Sequence, residues 1–282
     1  MLTDRFAPLA PRYDAVLCDI WGVVHNGVAA YADALDALKR FRAAGGTVVL
    51  ISNAPRPREW VVRSLDRLAV PREAYDGIVT SGDVTRAFLK GHPGQTVLLI
   101  GPERDHSILD GLGVAFGTVE AADYAVCTGL YDDETETPDD YGDLLGRMRA
   151  RSLFMVCANP DLVVERGNRL VYCAGAIADR YVHLGGGVLY AGKPQPPIYE
   201  EALVQIAAAR GAGVPLARVL AVGDSVRTDL AGAARAGVDC LFITAGIHAE
   251  EVGRHDPDLG ALKEMFAAAG VAPIAVLRRL AW

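Results

Sequence analysis

AVLCDIWGVVHNG, residues 15–27, decides how this chain is read. Four apolar residues, Ala15 to Cys18, run into the carboxylate of Asp19 and then into a turn marked by Gly22 and Gly27. An acid at the C-terminal end of a buried strand, followed by a glycine turn, stands where an open α/β sheet exposes its reactive groups. Taken alone, Asp19 reads as an ordinary strand-end acid capping a loop. Three further runs change that reading. Val48 to Ile51 stops at Ser52 and Asn53, with Pro55 and Pro57 opening a helical pattern. Val219 to Val222 ends in Gly223 and Asp224, with Asp229 following. Val188 to Ala191 leads to Gly192, Lys193 and Pro194, ahead of the helical spacing of Ile198, Leu203 and Ile206.

The residue types at these strand ends share one chemistry. Asp19 can serve as a nucleophile, Asp19 and Asp224 can hold Mg²⁺ through hard oxygens, and Ser52 and Lys193 can neutralise a phosphoryl group. Taken with the stretches CDIWGVVHNG (18–27), LISNAP (50–55), NPD (159–161), YAGKPQPPIYE (190–200) and AVGDSVRTDLAGAARAG (221–237), this order resembles the haloacid dehalogenase superfamily. The resemblance is to the branch containing NagD-type sugar phosphatases and pyridoxal phosphatase, and it spans almost the whole chain. It implies an α/β fold, with a Rossmann-like parallel sheet core carrying helices on both faces and a large inserted α/β cap domain. It also implies a hydrolase that transfers a phosphoryl group to Asp19. The Mg²⁺ ligands would be Asp19, the backbone carbonyl of Trp21 and Asp224, with Asp229 supporting the metal or orienting the lysine. Ser52, Asn53 and Lys193 would hold the phosphoryl group, and backbone N–H groups near Trp21, Gly22 and Asn53 would add to the cradle. Asn159 and Asp161 either face the substrate or shape the junction of cap and core.

Trp21 is the departure from that pattern. In the phosphatases of the resembled superfamily an Asp usually stands two residues beyond the nucleophile, where it protonates the leaving oxygen and later activates water. Indole has no proton to exchange in this way. General acid–base help is worth roughly 10² to 10⁴ in rate, about 3 to 5.5 kcal/mol of barrier. A Mg²⁺-dependent phosphohydrolase acting on a small phosphorylated metabolite through phospho-Asp19 is the leading expectation. Its rival is a protein that binds a phosphorylated ligand with little turnover, which Trp21 favours. A carbon–halogen or carbon–phosphorus hydrolase also dispenses with the second Asp, but the cap does not suit one. His25, just after Trp21, is a candidate stand-in for the missing acid because imidazole titrates near neutral pH.

Composition narrows the partners. With 51% hydrophobic residues, the 282-residue chain can bury a sizeable core and carry an inserted lobe. Lys and Arg total 28 against 35 Asp and Glu, a net charge of −7, with no basic stripe interleaved with aromatics, so no nucleic-acid partner is expected. Residues 1–14 lack a signal pattern and no apolar run nears the ~18 residues of a membrane span, so a soluble cytoplasmic protein with no membrane partner is expected. The five cysteines include no Cys-x-x-Cys pair and read as small buried hydrophobes. The six histidines show no metal-ligand spacing, and those other than His25 are expected at ordinary surface or loop positions.

Strand and helix patterns alternate almost from end to end, which argues for parallel strands joined by crossover helices. Helical spacing follows Asp19 (Ala34, Leu35, Leu38, Phe41) and Ser52 (Val61, Val62, Leu65, Leu68), and Ile78–Val79 reads as a third core strand. After the break at residues 91–94 a fresh alternation begins. The expected division is a catalytic core of 1–92 and 188–282 and an α/β cap of 93–187, with Gly185 to Gly187 as a hinge or hairpin and Val188 returning the chain to the core. The acidic patch Asp132, Asp133, Glu134, Glu136, Asp139 and Asp140 reads as a solvated loop. Trp60 and Trp282 are expected in packing roles. Caps pair in the resembled branch, which implies a homodimer.

Overall fold

The computed structural model describes residues 3–167, 169–253 and 256–282; His255 lies outside the described residues. Every residue of β1 (Ala15–Asp19) is buried, as a parallel strand covered on both faces requires. The chain continues through α1 (Ala32–Ala43), β2 (Thr47–Ser52), α2 (Arg58–Arg67), β3 (Gly77–Thr80) and α3 (Ser81–Lys90). A capping box starts α3: the Thr80 hydroxyl accepts from the Asp83 N–H and the Asp83 carboxylate accepts from the Thr80 N–H. A second α/β unit follows, with β4 (Thr96–Ile100), β5 (Ala115–Phe116), β6 (Tyr124–Cys127), α4 (Gly142–Ala150), β7 (Phe154–Cys157), β8 (Val163–Arg166), β9 (Arg169–Tyr172), α5 (Ala174–His183) and β10 (Val188–Tyr190). The chain then adds α6 (Pro196–Arg210), β11 (Val219–Gly223), α7 (Ala231–Ala236), β12 (Asp239–Ile243), α8 (Ala249–Val252), α9 (Leu259–Ala269) and β13 (Ala275–Leu277).

Six strands form one parallel sheet in the order β13-β12-β11-β1-β2-β3. Period-two alternation sorts its side chains between two helix layers. Val16 and Cys18 pack with Leu38 and Phe41 of α1 and Leu65 of α2. Leu17, from the opposite face, packs with Ile198, Ala202 and Ile206 of α6 and Leu262 of α9. Each large apolar side chain so buried contributes about 1.5–3 kcal/mol. From β1 the chain winds outward through β2 and β3, and from β11 it winds the other way through β12 and β13. The order therefore reverses between β1 and β11, and a crevice opens there at the strand C-termini.

The second sheet is also parallel, in the order β10-β7-β6-β4-β5. Leu145 and Met148 of α4 with Ile177 and Tyr181 of α5 cover one face. The other face is covered by Leu89 of α3 and by Ile108 and Leu109 of a short helical segment. β8 and β9 stand apart as an antiparallel hairpin.

One segment departs from the sequence reading. Val188–Tyr190 does not rejoin the core sheet; it pairs with β7 through Val188, Leu189 and Tyr190 as an edge of the second sheet. The short apolar run satisfies either sheet, and proximity to β7 decides, so the return to the core comes at Ala191 to Pro194. Gly185 to Gly187 accordingly lie inside the second unit, between α5 and β10, rather than at a hinge. All five cysteines are buried and free, as expected. Among the described residues no helix is long and apolar enough to cross a membrane.

Candidate active site

The sheet topology brings the sequence-derived residues together. Asp19 ends β1, Ser52 ends β2 on one side of it, and Asp224 follows β11 on the other. Lys193 arrives from the loop between β10 and α6, and its ammonium donates to Asp19 Oδ1 at 2.5 Å and to Asp229 Oδ1 at 2.6 Å. All of these side chains are buried. Asp19, Asp224 and Asp229 each offer a carboxylate oxygen within 4.8 Å of the others. Asp229 thus stands both among these acids and against the lysine.

Asp224 is placed by close backbone approach. Its Oδ2 accepts from the Ile247 N–H at 2.8 Å, and a Cβ built on Gly22 or Gly246 would lie 1.9 or 1.8 Å from that oxygen. Gly22 also has φ +79°, a left-handed conformation that only glycine adopts at no steric cost. A stretch of π-type turns, Val226–Leu230, carries Asp229, whose Oδ2 accepts from the Ser225 N–H at 3.1 Å.

Ser52 Oγ accepts from the Ala54 N–H at 3.2 Å, which leaves its O–H to donate into the crevice. The Asn53 side chain works as a clamp. Its Oδ1 accepts from the Lys193 N–H at 2.7 Å, while Nδ2 donates to Asp161 Oδ1 at 3.0 Å and to the Lys193 carbonyl at 3.3 Å. With the amide spent on these partners, only the Asn53 backbone N–H remains for a bound anion. Asn159 Oδ1 accepts from the Asp161 N–H at 3.2 Å, so Asn159 shapes the loop that presents Asp161.

Charge in this cluster is unbalanced. Lys193 faces the carboxylates of Asp19 and Asp229, with Asp224 and Asp161 nearby. Burial raises the Asp19 carboxyl well above the usual range; Lys193 opposes this, and Asp229 and Asp224 add to it. Burial and Asp229 push Asp224 up to about 8. Burial alone would lower Lys193, but Asp19, Asp229 and Asp161 outweigh it and hold the ammonium well above its ordinary value. Hard oxygen donors with surplus buried negative charge fit a divalent cation of the Mg²⁺ type.

Above the crevice lies a cleft of about 580 Å³ between the two sheets, lined by the core residues already named and by residues of the second unit. Arg56, after β2, pairs with Asp105, and Arg227, between Asp224 and Asp229, pairs with Asp179 of α5 at 2.7 and 3.0 Å. The hairpin tip meets the loop after β1, where the Gly167 N–H donates to the Asn26 carbonyl at 3.2 Å.

Three expectations need correction. His25 does not titrate near neutrality: burial drives its pKa down to about 4, and its Nδ1 accepts from the Gly27 N–H at 2.9 Å. Trp60 is not packed away but 42% exposed, lining the cleft with the Arg63 guanidinium 4.9 Å from its ring centre. The acidic patch is only partly solvated, since Asp133 is nearly buried between Arg104 and Arg166, and Glu136 accepts from the Tyr141 hydroxyl at 2.6 Å. Trp282 packs as expected, edge-on to Phe6 at 5.9 Å. Trp21 is half-buried, its ring over Gly27 and edge-on to His25 at 4.9 Å. The contribution of Gly246 and Ile247 was not anticipated, although an apolar run ending in glycine, Cys240 to Gly246, repeats the signal seen at Asp19 and Asp224.

Two family models match the chain, a haloacid dehalogenase-like hydrolase model over residues 16–115 and a HAD-hydrolase-like model over 190–264. The solved structure of a haloacid dehalogenase-like hydrolase from Brucella suis 1330 is 48% identical, with TM-score 0.89, over 99% of this chain and 100% of that one. D-glycerol 3-phosphate phosphatase of Mycobacterium tuberculosis is 28% identical over 85% of this chain, which spans only 65% of that protein's length. A solved glycerol phosphate phosphatase from Mycobacterium tuberculosis, in complex with calcium, is 25% identical with TM-score 0.63, over 85% of this chain and 68% of that one.

Proposed function

Because the chain belongs to the haloacid dehalogenase-like hydrolases, we propose that it is a divalent-metal-dependent phosphohydrolase that cleaves a small phosphorylated metabolite through phospho-Asp19. The observation that carries the proposal is the contact of Lys193 with both Asp19 and Asp229 beside Asp224, at the point where strand order reverses. The glycerol phosphate phosphatase names of the mycobacterial matches, and the calcium in the solved structure, support it.

In this reading Asp19 attacks phosphorus in line, and the P–O bond to the leaving group breaks. Ser52 and the Asn53 backbone N–H bind the phosphoryl oxygens, while Lys193 offsets their charge and orients Asp19. Mg²⁺ held by Asp19, Asp224 and the Trp21 carbonyl, with Asp229 beside them, would neutralise the phosphoryl oxygens and so let an anionic nucleophile approach. Water then attacks phospho-Asp19 and releases phosphate. The second unit, 93–187 with β10, acts as a cap over the leaving group.

Trp21 favours a second reading, a binding protein that holds a phosphorylated ligand with little turnover. Phosphate release from a panel of aryl, sugar and glycerol phosphates with Mg²⁺ separates the two. Turnover of at least one compound that is abolished in Asp19→Asn supports the enzyme. Stoichiometric binding without phosphate release supports the binding protein.

A further inference from the structure

Trp21 leaves the leaving group without a proton donor on the core side, and the structure offers one from the opposite wall. We infer that Asp161 is the general acid and base of this site: it protonates the leaving oxygen and then activates water. The inference rests on the phosphohydrolase reading above.

Three observations carry it. Asp161 is the acid nearest the phosphate-binding residues apart from the metal-site cluster, one hydrogen bond from Asn53, which is itself bonded to Lys193 at both its N–H and its carbonyl. It comes from the cap side, and in-line attack by Asp19 sends the leaving oxygen away from the core and toward that wall. Its Oδ1 is occupied by Asn53, whereas no partner holds Oδ2 among the described residues, and the side chain is part-buried along the cleft wall. The loop that presents it is fixed: the Asp161 carbonyl accepts from the Gly175 N–H at 3.1 Å, and a Cβ on Gly175 would lie 2.4 Å from that oxygen.

Of the other acids lining the cleft outside the metal-site cluster, Glu165 stands on the hairpin strand β8 with no hydrogen bond to the phosphate-binding residues, and the rest are paired. Asp105 pairs with Arg56, Asp133 with Arg104 and Arg166, and Glu251 with His248. His25 is neutral, with Nδ1 turned to the Gly27 N–H. Burial also raises Asp161 above the ordinary carboxyl range; Lys193, Asn53 and Arg227 pull it down and Asp229 pushes it up, which favours the protonated form an acid needs.

The step balances. As the Asp19 oxygen bonds to phosphorus, the leaving oxygen takes the P–O electron pair and the Asp161 proton and departs as an alcohol. In the second step the Asp161 carboxylate takes a proton from water, whose oxygen bonds to phosphorus while the bond to Asp19 breaks and its pair returns to that carboxylate. Asp161 ends protonated, and water plus phosphate ester have become alcohol plus phosphate.

Single-turnover release of the leaving group tests this in wild type and Asp161→Asn, with p-nitrophenyl phosphate and glycerol 3-phosphate as substrates. A nitrophenolate leaves without protonation and an alkoxide does not, so the alkyl-to-aryl rate ratio should fall by ~10² in the variant. An unchanged ratio overturns the assignment, whether both rates fall, as for a residue that merely positions Asn53, or neither does. Should Asp161→Asn misfold, wild type alone suffices: across a series of phosphate esters, a shallow dependence of rate on leaving-group pKa supports an acid, and a steep one contradicts it. Wild type inert toward every ester with Mg²⁺ would instead overturn the phosphohydrolase reading itself.

Discussion

At the residue scale, the acids of the proposed metal site depend on backbone that no side chain can share. Gly246 lies against Asp224 Oδ2 so closely that an added Cβ would sit 1.8 Å from it. Gly246→Ala must displace that carboxylate and should weaken Mg²⁺ binding by ~10- to 100-fold, as loss of a metal ligand's supporting contacts does. Calorimetric titration with Mg²⁺ measures it, and an unchanged affinity would remove Asp224 from the metal site. His25 gives a second prediction. Its pKa is about 4 in the folded protein, against an ordinary imidazole value of 6.5. Between these values the unfolded chain binds the extra proton. Stability from this group is therefore complete above pH ~6.5 and is lost as pH falls toward 4, by about 3 kcal/mol in all. Urea unfolding at pH 7 and 4.5 should show a smaller difference for His25→Gln than for wild type. The same difference in both would mean that the ring is charged in the fold.

At the scale of elements, the loop bearing Asp224 and Asp229 is tied to the second α/β unit through Arg227 and Asp179, an ion pair whose side chains are 40% and 32% exposed. Screening at that exposure limits the pair to ~1 kcal/mol or less. A double-mutant cycle with Arg227→Met and Asp179→Asn should find a coupling energy of about 0.5–1 kcal/mol, together with a severalfold rise in KM as the second unit loosens over the proposed site. No coupling would mean that the contact is incidental. The elements differ in how legible they were. β1, β2, β3 and β11 are apolar runs bounded by Gly, Pro or a strand-end polar residue, and periodicity alone locates them. β10 is not located by its sequence, because Val188, Leu189 and Tyr190 fit either sheet and only tertiary pairing with β7 chooses between them. Asp19, Ser52, Lys193 and Asp224 were legible as polar residues ending apolar runs. The partners of Asn53, and the backbone around Gly246, were not, because they arise from contacts between segments far apart in sequence.

At the scale of the whole molecule, the topology gathers Asp19, Asp224, Asp229 and Asp161 around Lys193, and this excess charge should govern stability. Burial raises Asp19, Asp161 and Asp224, the last to about 8. Without metal these three acids bind more protons in the folded state than in the unfolded one from about pH 4 up to pH 8, so the stability they contribute should fall as pH rises through that window. A bound divalent cation replaces those protons. In thermal melts the increase in Tm with Mg²⁺ over EDTA should therefore grow from pH 5.5 to 8.5, whereas a constant or shrinking increase would mean that the acids do not hold the ion. Capture of the phosphoryl group on Asp19 shows whether these acids are arranged around a nucleophile. Protein mixed with ³²P-labelled aryl phosphate and Mg²⁺ is quenched in acid within one turnover, and the labelled peptide is identified by mass spectrometry. Acid-stable label is expected on the peptide containing Asp19, absent in Asp19→Asn and in EDTA. Release of phosphate with no label on Asp19, at a rate that Asp19→Asn leaves unchanged, would contradict a nucleophilic Asp19.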